Sequence, residues 1–521
     1  VIYTKNKKER KMYMFVNSLK NTLNEDFNYT LTENGALSYR TTGKNLLDIN
    51  FAVASLRSAD EEEIINRFMK AYYEDKILAM KWLFFARDIR GGLGERRLFR
   101  TVIKYLADNN PEIIRDLIKF IPEYGRYDDM VEILKSKVSD VVINIISSQL
   151  KEDIKNMKEN KPVSLLAKWL PSINASSKES AAQGRFICRK LGYSEKKYRK
   201  TLSSLRRYID VVEVKMSANK WDKIKYETVP SRANLIYSNA FLRHDRERRE
   251  AYLESLKKGE VKINAGTLFP HDIVHRYTET SYLWGCDLKD INTTLEELWK
   301  SLPNLVNGCE NTIVVADGSG SMTCTIGNSN VTALSVANAL AIYFSERSSG
   351  EFKDKYITFS ERPQLVDFSK AKNLREKIEI ALRHNEVANT NIEAVFKLIL
   401  KTAIKNNMKQ SDLPQNILII SDMEFDSAVD ELPDKRLFEN IAEQYEQHGY
   451  KLPRLIFWNV NSRTGAIPVK ENDLGVALVS GFSTNIVKMV MSNELDPYKC
   501  LLEMLNTERY QPIENAIKDI A

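Results

Sequence analysis

Cysteine is scarce in this chain. There are five (Cys188, Cys286, Cys309, Cys324 and Cys500), odd in number and with no two spaced as CxxC. A zinc finger and a disulfide framework are both disfavoured, and a reducing cytoplasm fits such usage. Glycine (20) and proline (14) are few, so the chain is neither collagen-like nor linker-rich. No apolar run approaches the roughly 20 residues that a bilayer span requires, and no membrane association is expected. The opening residues, VIYTKNKKERK, are polar and basic and lead into no signal-type apolar core, so secretion is not expected.

What is present is ordinary globular material. The apolar fraction is 43% and the charged fraction 28%, which argues against wholesale disorder. With 521 residues the chain holds about three domains' worth of sequence and can bury a sizeable core without metals or disulfides. The net charge of +7 is unevenly placed. Residues 1–300 carry 54 Lys and Arg against 41 Asp and Glu, whereas residues 301–521 carry 23 against 29. Residues 151–250 alone hold 24 against 12, so one stretch supplies nearly all the excess. Such asymmetry suggests that one half meets a polyanion and the other does not. A solubilising face explains it about equally well.

The hydrophobic pattern also divides the chain. Over 61–89, 98–109, 111–125 and 128–137 apolar residues recur at three and four, as in Ile64, Phe68, Ala71 and Tyr72, which predicts successive amphipathic helices. Short punctuators separate them: Arg90-Gly91-Gly92-Leu93-Gly94, Pro111 and Gly125. This reads as an array of helical repeats without a clean sequence period. Near residue 305 the rhythm changes. Strands are predicted at Thr312–Ala316, Lys355–Phe359, Asn416–Ile420, Arg454–Val460 and Gly475–Val479. Helical patterns at 331–348, 391–405 and 435–449 lie between them. Alternating strand and helix predicts a doubly wound α/β domain with its ligand site at the carboxyl ends of the strands. The expected domains are 1–304, all-α, and 305–521, α/β.

The first of those strands runs into Asp317-Gly318-Ser319-Gly320-Ser321-Met322, a D-x-S-x-S loop. Two further polar loops, Asn389-Thr390-Asn391 and Ser421-Asp422-Met423-Glu424, belong to the same strand-end level. Carboxylates and hydroxyls from three loops are hard oxygen ligands suited to octahedral Mg²⁺, with Mn²⁺ as the alternative. The loops resemble the metal-ion-dependent adhesion site of von Willebrand factor A domains. On that resemblance Asp317, Ser319, Ser321, Thr390 and Asp422 are the five metal ligands, and Asn391 departs from the Asp that many such domains carry there. The resemblance implies a docking site that leaves one coordination position for an acidic group of a partner protein.

Residues 194–209 lie on a helix with Ser194 as N-cap and Tyr198, Leu202, Leu205 and Ile209 as the buried stripe. Lys196, Arg199, Lys200, Arg206 and Arg207 then fall mainly on the exposed side, and Arg185, Arg189 and Lys190 extend the charge upstream. Lys215, Lys220 and Lys223 surround Trp221, and Arg232, Arg243, Arg246, Arg248 and Arg249 follow, with His244 among them. Cations interleaved with Trp169, Trp221, Tyr198 and Tyr226 suit phosphates and stacked single-stranded bases. A solvated charged face with core tryptophans is the plainer reading of the same residues.

Several blocks resemble the TROVE module of Ro-type ribonucleoproteins: 31–48, 87–100, 124–134, 165–175, 216–245 and 262–274. That family joins a ring of HEAT-like helical repeats to a C-terminal von Willebrand A domain. The nearest likeness is to its relatives in bacteria, phages and large viruses. The resemblance implies binding of small structured non-coding or misfolded RNA and of single-stranded RNA ends, without catalysis. A monomer is expected over an oligomer. It adds Lys168 and Asn219 to the candidate RNA contacts and repeats Trp169, Lys215, Trp221, Arg232, Arg243 and His244. An adaptor that captures an acidic protein through the metal, and a metal-dependent nuclease, are the rival readings. Three hydroxyls around one ion do not make the two-metal arrangement nucleases favour.

Three other signals carry less. His271 and His275 sit four apart, as in HExxH, but Asp272 replaces the Glu and no third ligand is evident. A capping role for Asp272 fits better. Arg90–Gly94 lacks the GK[ST] ending of a phosphate loop and reads as a helix C-cap and turn. Ser319 and Ser321 have no histidine in a defensible motif order, so hydrolase chemistry is unsupported.

Overall fold

A computed structural model describes residues 23, 27–278, 288–306, 311–327, 329–359, 362–385, 391–426, 437–469, 474–490 and 494–518. A short antiparallel hairpin comes first, β1 (Tyr29–Leu31) and β2 (Leu37–Tyr39). Strands of three residues are too short for alternation to announce them. Helices follow: α1 (Asn45–Ala52), α2 (Glu61–Glu74), α3 (Lys76–Arg87), α4 (Arg96–Asn109), α5 (Ser139–Lys158), α6 (Lys178–Lys190), α7 (Glu195–Tyr208), α8 (Ser231–His244), α9 (Arg246–Lys257), α10 (Pro270–Thr278) and α11 (Thr293–Lys300).

The predicted stripe of α2, Ile64, Phe68, Ala71 and Tyr72, is buried. The run 61–89 is nevertheless two helices. Asp75 is extended (φ −151°, ψ 109°), and its carboxylate accepts from Leu78 N–H to cap α3. Asp competes with the helix by bonding nearby backbone, so one residue stops one helix and starts the next. The segment 111–125 is likewise broken, into Pro111–Ile114, a 3-10 stretch Arg115–Phe120 and Ile121–Tyr124. Pro122 lacks the N–H that a continuous helix would use there.

The second half contains β3 (Thr312–Asp317), α12 (Ala333–Arg347), β4 (Lys355–Phe359), β5 (Gln364–Asp367), α13 (Leu374–Arg383), α14 (Glu393–Lys405), β6 (Asn416–Ser421), α15 (Leu437–Gln447), β7 (Arg454–Asn459), β8 (Val476–Ser480), α16 (Pro497–Leu505) and α17 (Gln511–Lys518). The six-stranded sheet has the order β5-β4-β3-β6-β7-β8. All pairs are parallel except β4 with β5. The sequence pattern misses β5 because only Val366 of its four residues is buried. Chain order runs outward in both directions from the β3–β6 pair, which is therefore the topological switch point where doubly wound sheets bind ligands.

The change of architecture falls where the periodicity changes, but the core does not divide there. α10 packs on α12, α1 on β8, and α16 and α17 on α3. Asn459 Nδ2 donates to Phe51 O (2.8 Å), and Ala54 N–H donates to Ser480 Oγ (3.0 Å). The glycine turn 91–94 belongs to the same seam. A Cβ on Gly92 would stand 2.0 Å from Phe85 O, and Gly92 O accepts from Ser483 Oγ (2.7 Å). Close approach of backbone to backbone, not phosphate binding, is what this turn requires. Among the described residues no helix is long and apolar enough to cross a membrane.

Candidate metal centre and basic surface

Parallel strands deliver their following loops to one edge, so the ends of β3, β6 and β7 lie side by side. At the end of β3, Asp317 Oδ1 accepts from Ser319 N–H (2.9 Å), and the Ser319 and Ser321 hydroxyls lie 3.0 Å apart. Ser421 closes β6 and donates its hydroxyl to Asp317 Oδ2 (2.6 Å). Its Oγ also accepts from Met423 N–H (2.9 Å), and Met423 is held at φ 64°, a left-handed conformation uncommon for such a side chain. That turn aims Asp422 at the end of β3. Asp317, Ser319 and Asp422 are all buried, and Ser321 is half-buried.

Burial raises the Asp317 carboxyl, and the negative charge of Asp422 raises it further. Burial likewise raises Asp422, against the pull of Arg463. Among the described residues Asp422 Oδ2 has no hydrogen-bond donor. Arg463 Nη1 lies 3.4 Å from it. Two buried carboxylates, paired hydroxyls and one orphaned carboxylate oxygen are a donor set that a hard divalent cation fits. Thr390, the fifth expected ligand, lies outside the described residues. Asn391 Oδ1 accepts from Ala394 N–H (3.0 Å), which makes it the cap of the helix that follows. Among the described residues no group of three or more His, Cys, Asp or Glu side chains converges as a metal site, so the candidate depends on its hydroxyls.

Sequence reasoning gave three residues no role here. Ser421 braces Asp317. Glu424 is fully buried, and its carboxylate accepts from Arg463 N–H (2.8 Å), Thr464 N–H (2.9 Å) and Glu33 N–H (2.8 Å). Arg463 supplies the only guanidinium recorded against Asp422 among the described residues. The polar loop after β7, Asn461-Ser462-Arg463-Thr464-Gly465, was the available signal, because every parallel strand end faces the same edge.

The basic residues divide into two groups. Arg185 and Arg189 of α6, Lys196, Arg199, Lys200 and Arg207 of α7, and Lys220 and Arg243 are exposed and form no ion pair among the described residues. The other predicted contacts have structural engagements. Arg206 is drawn inward, off the exposed face assigned to it from the helical wheel. Its guanidinium donates to Ala167 O (2.8 Å), Leu170 O (2.7 Å) and Ser172 Oγ (2.7 Å), tying α7 to the 166–172 segment. Lys215 bonds Asp210 and Lys223 O, and Arg232 pairs with Asp272 at 3.1 Å. Trp169 is half-buried, with the Arg126 guanidinium 4.1 Å from its ring centre and Lys168 at 5.6 Å. Trp221 stacks on the exposed His244 ring (4.4 Å, 8°) and donates its indole N–H to Asn219 Oδ1 (2.8 Å). Of the demoted histidines, His271 is buried against Phe269 and Phe482, and Asp272 accepts from Phe269 N–H (2.9 Å) at the start of α10.

A family model described as a domain of unknown function, DUF2828, matches residues 32–142 and 136–308. This chain belongs to the DUF2828 family. A second model, domain of unknown function DUF7788, matches residues 311–514 of this DUF2828 protein. The two matches meet where the helical half gives way to the sheet. The chain is also similar to an uncharacterized protein, L728, of Acanthamoeba polyphaga mimivirus. That relative is 29% identical over 526 residues, covering 93% of this chain and 89% of its own length.

Proposed function

We propose that this protein binds RNA in the cytoplasm in the manner of TROVE-like proteins, and that its α/β half is a von Willebrand A-type domain holding a divalent cation, Mg²⁺ first. Exposed cations on α6 and α7, unpaired among the described residues, carry the RNA reading. Cations held without counter-ions suit phosphates, which release condensed ions on binding. The Trp221–His244 stack offers a flat aromatic edge for an unstacked base. The TROVE-like blocks and their order support the same reading and favour structured RNA with a free single-stranded end.

At the sheet edge Asp317, Ser319, Ser321 and Asp422 would hold the cation, with Thr390 as the fifth ligand. A bound ion there supplies a coordination position for an acidic group. The half-buried Ser321 and Arg463 at the rim favour, as a second reading, an adaptor that captures an acidic protein.

One experiment separates these readings. Affinity for an RNA hairpin with a single-stranded 3′ tail is measured by fluorescence anisotropy across a salt series. The fourfold variant Lys196→Glu, Arg199→Glu, Lys200→Glu, Arg207→Glu is expected to lose about a hundredfold or more at 0.1 M salt and to show a shallower salt slope. Asp317→Ala is expected to bind the hairpin as the wild type does. Equal affinity of the fourfold variant and the wild type would refute the RNA surface. Loss of a co-purifying protein from Asp317→Ala alone would favour the adaptor.

A further inference from the structure

The guanidinium of Arg463 stands where the metal site needs positive charge. Nη1 lies 3.4 Å from Asp422 Oδ2 and 3.5 Å from the backbone oxygen of Ser321. It balances the charge of Asp422 without making a hydrogen bond, since among the described residues that oxygen has no donor. The other side of the guanidinium, Nε, is paired closely with the carboxylate of Glu33. Glu33 belongs to the turn between β1 and β2, far away in sequence. That turn docks directly beside the site: Glu33 N–H donates to Glu424 Oε2 (2.8 Å), Asn34 Nδ2 to Glu424 O (2.7 Å) and Thr32 Oγ1 to Phe425 O (2.7 Å). The Arg463 side chain is 32% exposed and that of Glu33 54%, so the pair lies at the solvent edge and can part without opening the core.

We infer that Arg463 is an internal stand-in cation for the metal site and Glu33 its tether, so that metal binding and release of the Glu33–Arg463 latch are one equilibrium. This rests on the metal reading above. A divalent ion seated among Asp317, Ser319 and Ser321 and the guanidinium would both claim Asp422. Like charges that close, in a setting drier than water, repel strongly. The ion therefore displaces the arginine head outward, and the tether to the β1–β2 turn loosens with it. Linkage makes the effect reciprocal: whatever holds Arg463 on Asp422 weakens metal binding by the same factor by which metal weakens the latch. The N-terminal hairpin thereby reports the occupancy of the sheet edge.

The test uses the full chain. Mn²⁺ is titrated calorimetrically into the wild type, Arg463→Gln, Arg463→Lys and Asp317→Ala, and amide exchange over residues 29–39 is followed with and without Mn²⁺. Arg463→Gln is expected to bind Mn²⁺ about tenfold or more tighter than the wild type. Arg463→Lys, which keeps the charge, should stay near the wild-type value, and Asp317→Ala should not bind. Mn²⁺ should speed exchange over 29–39 in the wild type, whereas in Arg463→Gln exchange is already fast and does not respond. Equal or weaker binding by Arg463→Gln, with Asp317→Ala inactive, overturns the latch and leaves the metal site standing. No Mn²⁺ binding by either the wild type or Arg463→Gln overturns both.

Discussion

Arg509 tests whether the two halves are one folding unit. It lies between α16 and α17, at the far end of the chain from its partner. Its guanidinium pairs with Asp88, just past α3, through Nε and through Nη2 at 2.8 Å. Asp88 is 1% exposed, and among the described residues its carboxylate takes further bonds only from Tyr510 OH (3.1 Å) and Arg90 N–H (3.0 Å). Tyr510 stacks on Tyr124 (5.7 Å, 22°), whose hydroxyl bonds the Arg509 carbonyl. Arg509→Met removes both charge-assisted bonds and leaves a buried carboxylate with two neutral donors. Breaking a buried pair in this way costs about 3–5 kcal/mol. Because the arginine side chain is 30% exposed, water restores part of that, and about 2–3 kcal/mol is the expected loss. Urea unfolding gives the total. Hydrogen exchange locates it: protection should fall over 497–518 and over α3 together, since α17 packs on that helix. A loss under about 0.5 kcal/mol, or faster exchange confined to 497–518, would refute the claim that these helices seal the helical half.

Three further outcomes follow from the same contacts. Gly92→Ala places a Cβ 2.0 Å from Phe85 O and should lower stability by about 3 kcal/mol, read as a drop in Tm. Arg206→Ala removes three bonds to the 166–172 segment and should cost about 2–3 kcal/mol in urea while leaving the salt slope of RNA binding unchanged. His271 is pushed down to about 4 by burial, with Arg57, Arg232 and His275 adding to the shift and Asp272 opposing it. The unfolded chain takes up that proton first on acidification, so the stability is present above about pH 6.5 and is lost as pH falls towards 4. Between pH 7 and pH 5 the loss from this group should be about 2 kcal/mol, and His271→Gln should flatten the profile by that amount.

Much of the architecture was legible in the chain because it depends on local pattern. The stripe Ile64, Phe68, Ala71 and Tyr72, the Ser194 cap and the buried Tyr198, Leu202 and Leu205 follow from a period of 3.6 residues, and the structure has them. The strands read at 355–359 and 416–420 were legible as apolar runs, because parallel strands are buried on both faces, and the second runs one residue further, to Ser421. Asp317, Ser319, Ser321 and Asp422 were readable as a group because loops after parallel strands share one edge. Each of these inferences needs only neighbours in sequence, or a rule of topology.

What the chain did not announce depends on partners hundreds of residues away. No local pattern separates Arg206, bent inward to Ala167 and Leu170, from Arg207, left in solvent. Glu33 reads as a polar turn residue until the fold brings it to Arg463, and Arg463 as a loop cation until β7 sets it beside Asp422. Lys81 reads as a surface lysine on α3, yet it is buried and bonds Glu514 and Asn506 at 2.7 Å each. Helical and strand periods are properties of the backbone and can be read along the chain. Which charge meets which across the seam is a property of packing, and only the tertiary structure, which buries the halves against each other, decides it.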